Sequence, residues 1–223
     1  MICSIHQPNY IPYIGLFQKI YQSDIFVFYD TAQYTKGDFH NRNKIKGPNG
    51  EILLTIPVNI SLGMKINEVN FNQKILQKHL KTIEQSYKKS PYFEEVFLLL
   101  SDIYSYDTNK LSDFNIYTIR KISEYLGCNT KFYTLSELDV NLQTMSTQAL
   151  VDICKFLGAK KYISGAGGRD YIETSKFSDA GIDLEFQQFD NTSYNQLWGD
   201  FIPYMSIVDL LFNEGKRSIE FLK

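Results

Sequence analysis

Short apolar runs alternate with helical patterns from the start of the chain. ICSI at residues 2–5 and DIFVFYD at 24–30 are continuous apolar runs, which are typical of strands buried on both faces. Between them, IGLFQKIYQS places apolar residues at Ile14, Phe17, Ile20 and Tyr21, the spacing of one helix face. Strand, glycine-containing turn, helix and strand together form the parallel crossover unit. The pattern therefore predicts an α/β protein.

The rest of the chain continues this alternation with one interruption. EILLTIPVNI at 51–60 follows GPNG, an order that predicts a β-hairpin inserted between residues 35 and 70. Further strands are predicted in TKFYTLSEL, AKKYIS and IDLEFQQF. Helices are predicted at 74–90, 91–105, 111–127, 147–158 and 205–215, the third with Ser112 as N-cap and Gly127 as C′ residue. The predicted fold is a mainly parallel Rossmann-like, nucleotidylyltransferase-like sheet, with helices on both faces and a β-hairpin insertion.

Length and charge narrow the class of protein. The chain has 223 residues, 43% of them apolar, and a net charge of −2, so we expect a single domain over 1–223 and no general nucleic-acid binding. No apolar run approaches the roughly 18 residues of a membrane span, and we expect no membrane insertion. The three cysteines are scattered and match no disulfide or zinc spacing. These features predict a cytoplasmic protein with reduced thiols, and they are compatible with a homo-oligomer.

Two loops lie where a parallel sheet binds ligands, beyond the carboxyl ends of its strands. HQPNYIPYIG at 6–15 follows the first predicted strand, and SGAGGRDY at 164–171 follows a late one. Gly165 and Gly167 allow close backbone approach to a ligand, and Arg169 can pair with a phosphate or carboxylate. The other interpretation is a tight strand-to-helix turn with Arg169 in solvent.

A polar segment, DTAQYTKGDFHNRNKIKG, follows the second predicted strand. Amides, hydroxyls, an imidazole and a guanidinium offer directed hydrogen bonds, and interleaved rings can cover an apolar ligand face. The alternative is a solvated loop. The candidate ligand contacts from this segment are Asp30, Gln33, Tyr34, Lys36, His40, Asn41, Arg42 and Asn43.

Five stretches together resemble the WbqC-like family of bacterial proteins: HQPNYIPYIGLFQKI, SDIFVFYDTAQYTKGDFHNRNKIKGPNG, LLTIPV, YISGAGGRDYI and FIPYMSIVDLLFNEG. The resemblance covers essentially the whole chain. It implies an enzyme of O-antigen or other surface-glycan biosynthesis in a lipopolysaccharide-producing bacterium. The implied reaction transfers an acyl or aminoacyl group to the amine of a nucleotide-linked amino sugar. It implies no required cofactor, with ATP or an activated acyl donor as co-substrate.

A second similarity concerns the nucleotidylyltransferases, which carry P-x-x-G-H after the first strand and ISST-x-x-R after a late one. The matching positions here run from Pro12 to Leu16 and from Ile163 to Arg169. Leu16 stands where that family has its catalytic histidine, and leucine cannot donate a hydrogen bond to a phosphoryl group. This similarity supports the fold and a nucleotide pocket while it leaves adenylyl transfer in doubt.

The opening loop offers the chemistry that amide formation needs. His6 at the end of a strand can act as a base near neutral pH, with an acid limb near the imidazole pKa, while Lys19, Arg42 or the loop amides hold the developing negative charge. The competing interpretation is a histidine that only hydrogen-bonds loop backbone. The further candidate contacts from the two loops are Gln7, Tyr10, Ser164 and Tyr171.

Three functions remain open from the sequence. The first is acyl or aminoacyl transfer to a nucleotide-linked amino sugar, the second is adenylate formation or nucleotidyl transfer, and the third is non-catalytic binding of a nucleotide sugar. The spacing of His6, His40 and His79 matches no metal motif, and we expect no metal site. Cys3 lies within a predicted strand, where side-chain alternation turns it away from His6.

Overall fold

A computed structural model describes residues 1–142 and 146–223. The strands are β1 Ile2–His6, β2 Ile25–Phe28, β3 Arg42–Gly47, β4 Gly50–Thr55, β5 Lys131–Thr134, β6 Lys161–Ser164 and β7 Asp183–Phe186. The α-helices are α1 Ile14–Tyr21, α2 Lys74–Tyr87, α3 Phe93–Tyr104, α4 Leu111–Tyr125, α5 Thr147–Phe156, α6 Thr174–Asp179 and α7 Ile207–Glu214. Short 3₁₀ segments, including Ala166–Asp170 and Gly215–Leu222, complete these elements.

Five strands form one parallel sheet in the order β5-β2-β1-β6-β7. Its register pairs Ile5 with Val27 of β2, and Ser4 with Ile163 of β6. The chain builds outward from β1 in one direction and then crosses to β6 to build in the other. This reversal is the topological switch point of doubly wound sheets, where a crevice opens between the two loops that follow the central strands. The predicted α/β fold is confirmed.

Side-chain alternation divides the core between the two faces of the sheet. Phe26 and Phe28 of β2 pack with helices α1, α4 and α7, whereas Ile25 and Val27 pack with α5 and α6. Cys3 lies in the α5 and α6 cluster, on the opposite face of β1 from His6 by strand alternation. Both faces of the sheet are therefore covered, which explains the continuous apolar runs.

The predicted hairpin insertion is also confirmed. β3 and β4 pair antiparallel from Arg42 with Thr55 to Gly47 with Gly50, and they form a separate two-stranded sheet. The backbone N–H of Ser206, just before α7, donates to the carbonyl of Lys44 at 2.9 Å. This hydrogen bond fastens the C-terminal part of the chain to the hairpin.

One local prediction needs correction, one short helix was missed, and one local prediction is confirmed. The N-cap of α4 is Lys110 rather than Ser112, which is fully buried inside the helix and donates a hydrogen bond to Asp113. The short helix α6 was not predicted, because its sequence TSKFSD has a single apolar residue and hence no periodic pattern. Gly127 follows α4 with φ 75°, as expected for a C′ glycine. Within the described ranges, no helix has the length and apolar character needed to cross a membrane.

Candidate functional site at the ends of β1 and β6

The loop after β1 is held in place by hydrogen bonds from two other segments. Asn43 Nδ2 donates to the carbonyls of Tyr10 and Ile11 at 3.2 and 3.0 Å, and Ser206 Oγ donates to the same Ile11 carbonyl at 2.7 Å. Ile11 has φ 33°, a conformation that strains a β-branched residue. Such strain persists only where the surroundings fix the backbone, and it is common at ligand sites.

His6 ends β1 and holds a defined tautomer. Its Nδ1 lies 2.8 Å from the backbone carbonyl of Gln7. Because a carbonyl only accepts, Nδ1 carries the proton and Nε2 keeps its lone pair. Burial, and then the nearby charge of Lys19, lower the pKa of His6 to about 3. The imidazole is therefore neutral at physiological pH, and the expected acid limb near the ordinary imidazole pKa does not belong to His6.

Gln7 connects His6 to a second imidazole. His40 Nε2 lies 2.7 Å from Gln7 Oε1, so His40 donates to the side-chain carbonyl of Gln7. The His40 ring is fully buried, and burial lowers its pKa. This hydrogen bond uses the amide oxygen of Gln7 and leaves its NH₂ group as a donor for a ligand.

Lys19 lies beneath the two central strand ends. The side chain is 1% exposed, and its Nζ donates to the carbonyl of Ile5 at 3.4 Å. A Cβ atom added at Gly165 would lie 3.9 Å from the same Nζ, so the amine reaches the loop after β6 as well. Burial lowers the pKa of Lys19 to about 7. Lys19 can therefore gain or lose its charge near neutral pH.

Two cavities have His6 and Gln7 in common among their lining residues. The larger, about 610 Å³, is named the Lys65 cavity. Its wall includes Gln33 after β2, Ser146 at the N-terminus of α5, and Tyr171. The smaller, about 490 Å³, is named the Phe39 cavity. Its wall also contains Asn9, Pro12, Tyr13, Asp38, Asn43 and Tyr204.

Comparison with known proteins supports the family resemblance of the segments that line these cavities. The model of the WbqC-like protein family matches residues 7–221, a span that includes both loops and the hairpin. The chain belongs to the WbqC-like family. This chain is 34% identical over 225 residues to "Uncharacterized protein Rv1507c" of Mycobacterium tuberculosis. The alignment covers 99% of this chain and 96% of that protein. No solved structure matches this chain.

The glycine loop of this WbqC-like protein is a tight turn beside the cavities. Ser164 is buried and its hydroxyl donates to the carbonyl of Gly165 at 3.1 Å. A Cβ atom at Gly168 would lie 2.1 Å from Ser164 Oγ, so any larger residue here would force the buried Ser164 side chain to move. Arg169 is exposed, and its guanidinium lies 4.7 Å from the centre of the Phe186 ring. Ser164, Gly165, Gly167 and Arg169 lie outside the lining of both cavities.

Several polar residues predicted as ligand contacts hold loops together. Asp30 is 2% exposed and accepts hydrogen bonds from Asn67 and from both the backbone and hydroxyl of Ser136. Asn41 Nδ2 donates to the carbonyl of Ile56 at 2.7 Å. The guanidinium of Arg42 donates to the carbonyl of Gly37. Asp30, Asn41 and Arg42 lie outside the lining of both cavities.

The predicted aromatic contacts separate into two groups. Tyr10 is fully buried, and its hydroxyl hydrogen-bonds His79 Nδ1 at 2.8 Å and the Tyr104 hydroxyl at 2.7 Å. Tyr34 is nearly buried and packs against the His40 ring, with 5.3 Å between ring centroids. Tyr171 is 66% exposed and lines the Lys65 cavity. Lys36 is exposed and outside both linings.

Five residues predicted from the sequence as site residues line the cavities: His6, Gln7, Gln33, Asn43 and Tyr171. Other lining residues were not predicted. The missed residues with chemistry of their own are Lys65, Asp38 and Tyr204. Tyr204 stands in FIPYMS, a stretch that carries the family resemblance. The FIPYMS motif was therefore a sequence signal from which Tyr204 could have been predicted as a site residue. Within 1–142 and 146–223, no group of three or more His, Cys, Asp or Glu side chains could hold a metal ion.

Proposed function

We propose that this WbqC-like protein transfers an acyl or aminoacyl group to the amine of a nucleotide-linked amino sugar, in cytoplasmic steps of bacterial surface-polysaccharide biosynthesis. The observation that carries the proposal is the place of His6, whose unprotonated Nε2 belongs to a ring that lines both cavities. Amide formation brings two substrates together at one proton acceptor. Two adjoining cavities with a shared imidazole suit that reaction.

The acceptor ammonium first loses a proton to solvent and becomes a free amine. Amide formation from that amine needs one stabilised oxyanion and the passage of a second proton from nitrogen to the leaving group. The amine nitrogen attacks the acyl carbonyl, a C–N bond forms, and the bond between the acyl carbon and its leaving group breaks. The proton from nitrogen passes to His6 Nε2 and then to the leaving group. Gln7, whose amide oxygen is bound by His40, offers its NH₂ group to the tetrahedral oxyanion.

Lys19 adjusts the basicity of His6 in this proposal. Its positive charge is the second cause of the low His6 pKa, after burial. Since the pKa of Lys19 is about 7, a rise in pH through neutrality removes that charge. His6 then accepts a proton more readily. The substrates supply the acyl group, and ATP is needed only where the donor is a free acid.

Adenylate formation or nucleotidyl transfer is the second candidate. It is favoured by the strand order, which places the loops after β1 and β6 at the switch point, and by the glycine turn. Leu16 is buried in helix α1 and supplies no phosphoryl contact. A nucleotide-sugar binding protein without catalysis would need the cavities alone.

One experiment separates these functions. The protein is incubated with UDP-glucosamine and either acetyl-coenzyme A or ATP with a mixture of amino acids, and products are followed by mass spectrometry. We expect a product with an amide on the sugar nitrogen. Release of pyrophosphate without an amide would instead support adenylate formation or nucleotidyl transfer, and tight binding of UDP-glucosamine without any product would support the binding protein.

A further inference from the structure

The two cavities differ in charge. Among the described residues that line the Lys65 cavity, Lys65 is the charged one, and the N-terminus of α5 adds a partial positive charge at Ser146. Among those that line the Phe39 cavity, Asp38 is the charged one. An anionic group is therefore favoured in the Lys65 cavity, and a neutral or cationic group in the Phe39 cavity.

The Phe39 cavity also presents aromatic rings to its interior. Phe39 is 49% exposed and Tyr204 is 59% exposed, although both are large apolar side chains. Tyr13 adds a third ring, held edge-on to Phe189 with 5.6 Å between centroids. Rings suit the C–H face of a sugar, and the amide of Asn9 with the carboxylate of Asp38 suits its polar substituents.

Hydrogen bonds connect the wall segments of this cavity to one another. The backbone N–H of Tyr10 donates to the carbonyl of Phe39 at 3.0 Å, which ties the loop after β1 to the Phe39 wall. Tyr204 has φ 57°, and its N–H donates to Asn191 Oδ1 at 3.3 Å. Tyr13 and Ser206 form a β-bridge between the first loop and the Tyr204 segment. Such contacts restrain the wall segments, and a restrained site loses less entropy when a ligand binds.

We infer that the Phe39 cavity binds the amine-bearing sugar ring of the acceptor, with its ammonium at Asp38, while the anionic part of a substrate enters the Lys65 cavity. Asp38 Oδ1 accepts from the N–H of Phe39 at 2.7 Å, which leaves Oδ2 for the ammonium. A nucleobase would also stack on the rings, but the Asp38 carboxylate would repel the phosphates joined to it. This inference rests on the proposed function, because it assigns that acceptor to one cavity.

Ligand-observed NMR with the free monosaccharides D-glucosamine and D-glucose tests the assignment. We expect glucosamine to bind about tenfold more tightly than glucose, since a charge-assisted hydrogen bond depends on the ammonium. Asp38→Asn should remove that difference while it keeps the Oδ1 acceptor for Phe39. Tyr204→Gly should weaken both sugars, and glycine suits the positive φ at this position. Inorganic phosphate should bind equally to all three proteins and should not displace glucosamine.

The outcomes distinguish this inference from the proposed function. Glucosamine binding that is indifferent to Asp38→Asn and Tyr204→Gly, in variants that melt like the wild type, would overturn the inference. Displacement of glucosamine by phosphate would do the same. An amide product formed by variants with such unchanged binding would leave the proposed function standing alone. Amine-dependent binding without any amide product would support the inference and overturn the proposed function.

Discussion

His40 donates a hydrogen bond from Nε2 to Oε1 of Gln7 at 2.7 Å. The donor is a fully buried ring, and the acceptor lines both cavities. His40 itself lies outside those linings, so in the proposed site it would act on a ligand only through Gln7. The relationship makes His40 a positioning residue in the proposed site.

His40→Phe tests that role. The variant keeps a buried ring but loses the donor, so Gln7 can rotate, and kcat/KM should fall about 10- to 100-fold, as expected for a misplaced contact. The measurement is a double-mutant cycle with Gln7→Ala. We expect His40→Phe to have almost no further effect in the Gln7→Ala background. Equal losses in both backgrounds would show that His40 supports the structure without positioning Gln7.

Lys65→Ala tests anion binding in the Lys65 cavity, and Arg42→Ala serves as its control. Lys65 lines the larger cavity, whereas the Arg42 guanidinium is bound to the Gly37 carbonyl outside it. Lys65→Ala should weaken binding of UDP-glucosamine about threefold to fivefold, as expected for an exposed ion pair. Arg42→Ala should leave the affinity within twofold in isothermal titration. If Arg42→Ala lowered the affinity for UDP-glucosamine more than Lys65→Ala did, the anion would be bound by the segment at 30–47, as the sequence predicts.

Two alanine substitutions in the glycine loop, Gly168→Ala and its control Gly167→Ala, test how closely this loop packs. Gly168→Ala would bring Cβ to within 2.1 Å of Ser164 Oγ and 2.9 Å of Ile172, and we expect it to destabilise the fold by about 1–3 kcal/mol through overpacking. Gly167 has open space around the same position, and Gly167→Ala should change stability by less than about 0.5 kcal/mol. Chemical denaturation measures both. Equal stabilities for the two variants would contradict the close packing of Gly168 on Ser164.

The titration of Lys19 should control how kcat/KM depends on pH. Its charge lowers the pKa of His6, and its own pKa is about 7, so kcat/KM should rise with pH through neutrality. In Lys19→Met this limb should disappear, whereas a limb from the substrate amine would remain. An unchanged limb in the variant would contradict the coupling between Lys19 and His6.

The same residue predicts a change in stability with pH. The unfolded chain holds the Lys19 proton up to the ordinary pKa of 10.5, and the folded protein releases it near 7. The free energy of unfolding of the wild type should therefore rise, relative to Lys19→Met, as the pH increases from about 7 to 10.5. Denaturant titrations at two pH values inside this window measure the difference.

The fold followed from local patterns because each central strand is a continuous apolar run. ICSI and DIFVFYD became β1 and β2, and their parallel pairing is the consequence of the helix between them. Where the pattern was weak, prediction failed. The helix α6 lacks apolar periodicity, and the hydroxyl of Ser112 bonds Asp113 instead of capping α4.

The candidate site was only partly predictable, for a physical reason. His6 and Gln7 could be found because a strand end is visible in the sequence. Lys65, by contrast, reaches its cavity through the return of the chain after the hairpin, where Gln33 and Lys65 form a β-bridge. Tyr204 reaches the Phe39 cavity through the bridge between Tyr13 and Ser206. Contacts between segments so distant in sequence leave no local signal.

The measurement that tests the central proposal most directly is turnover, ligand affinity and melting temperature on one preparation of His6→Asn. Asparagine keeps a hydrogen-bonding side chain but cannot serve as the base. We predict a loss of kcat by about 10² to 10⁴, the usual share of general acid–base catalysis, with the affinity for UDP-glucosamine and the melting temperature nearly unchanged. A variant that melts at lower temperature but turns over at the wild-type rate would contradict the account and make His6 a structural residue.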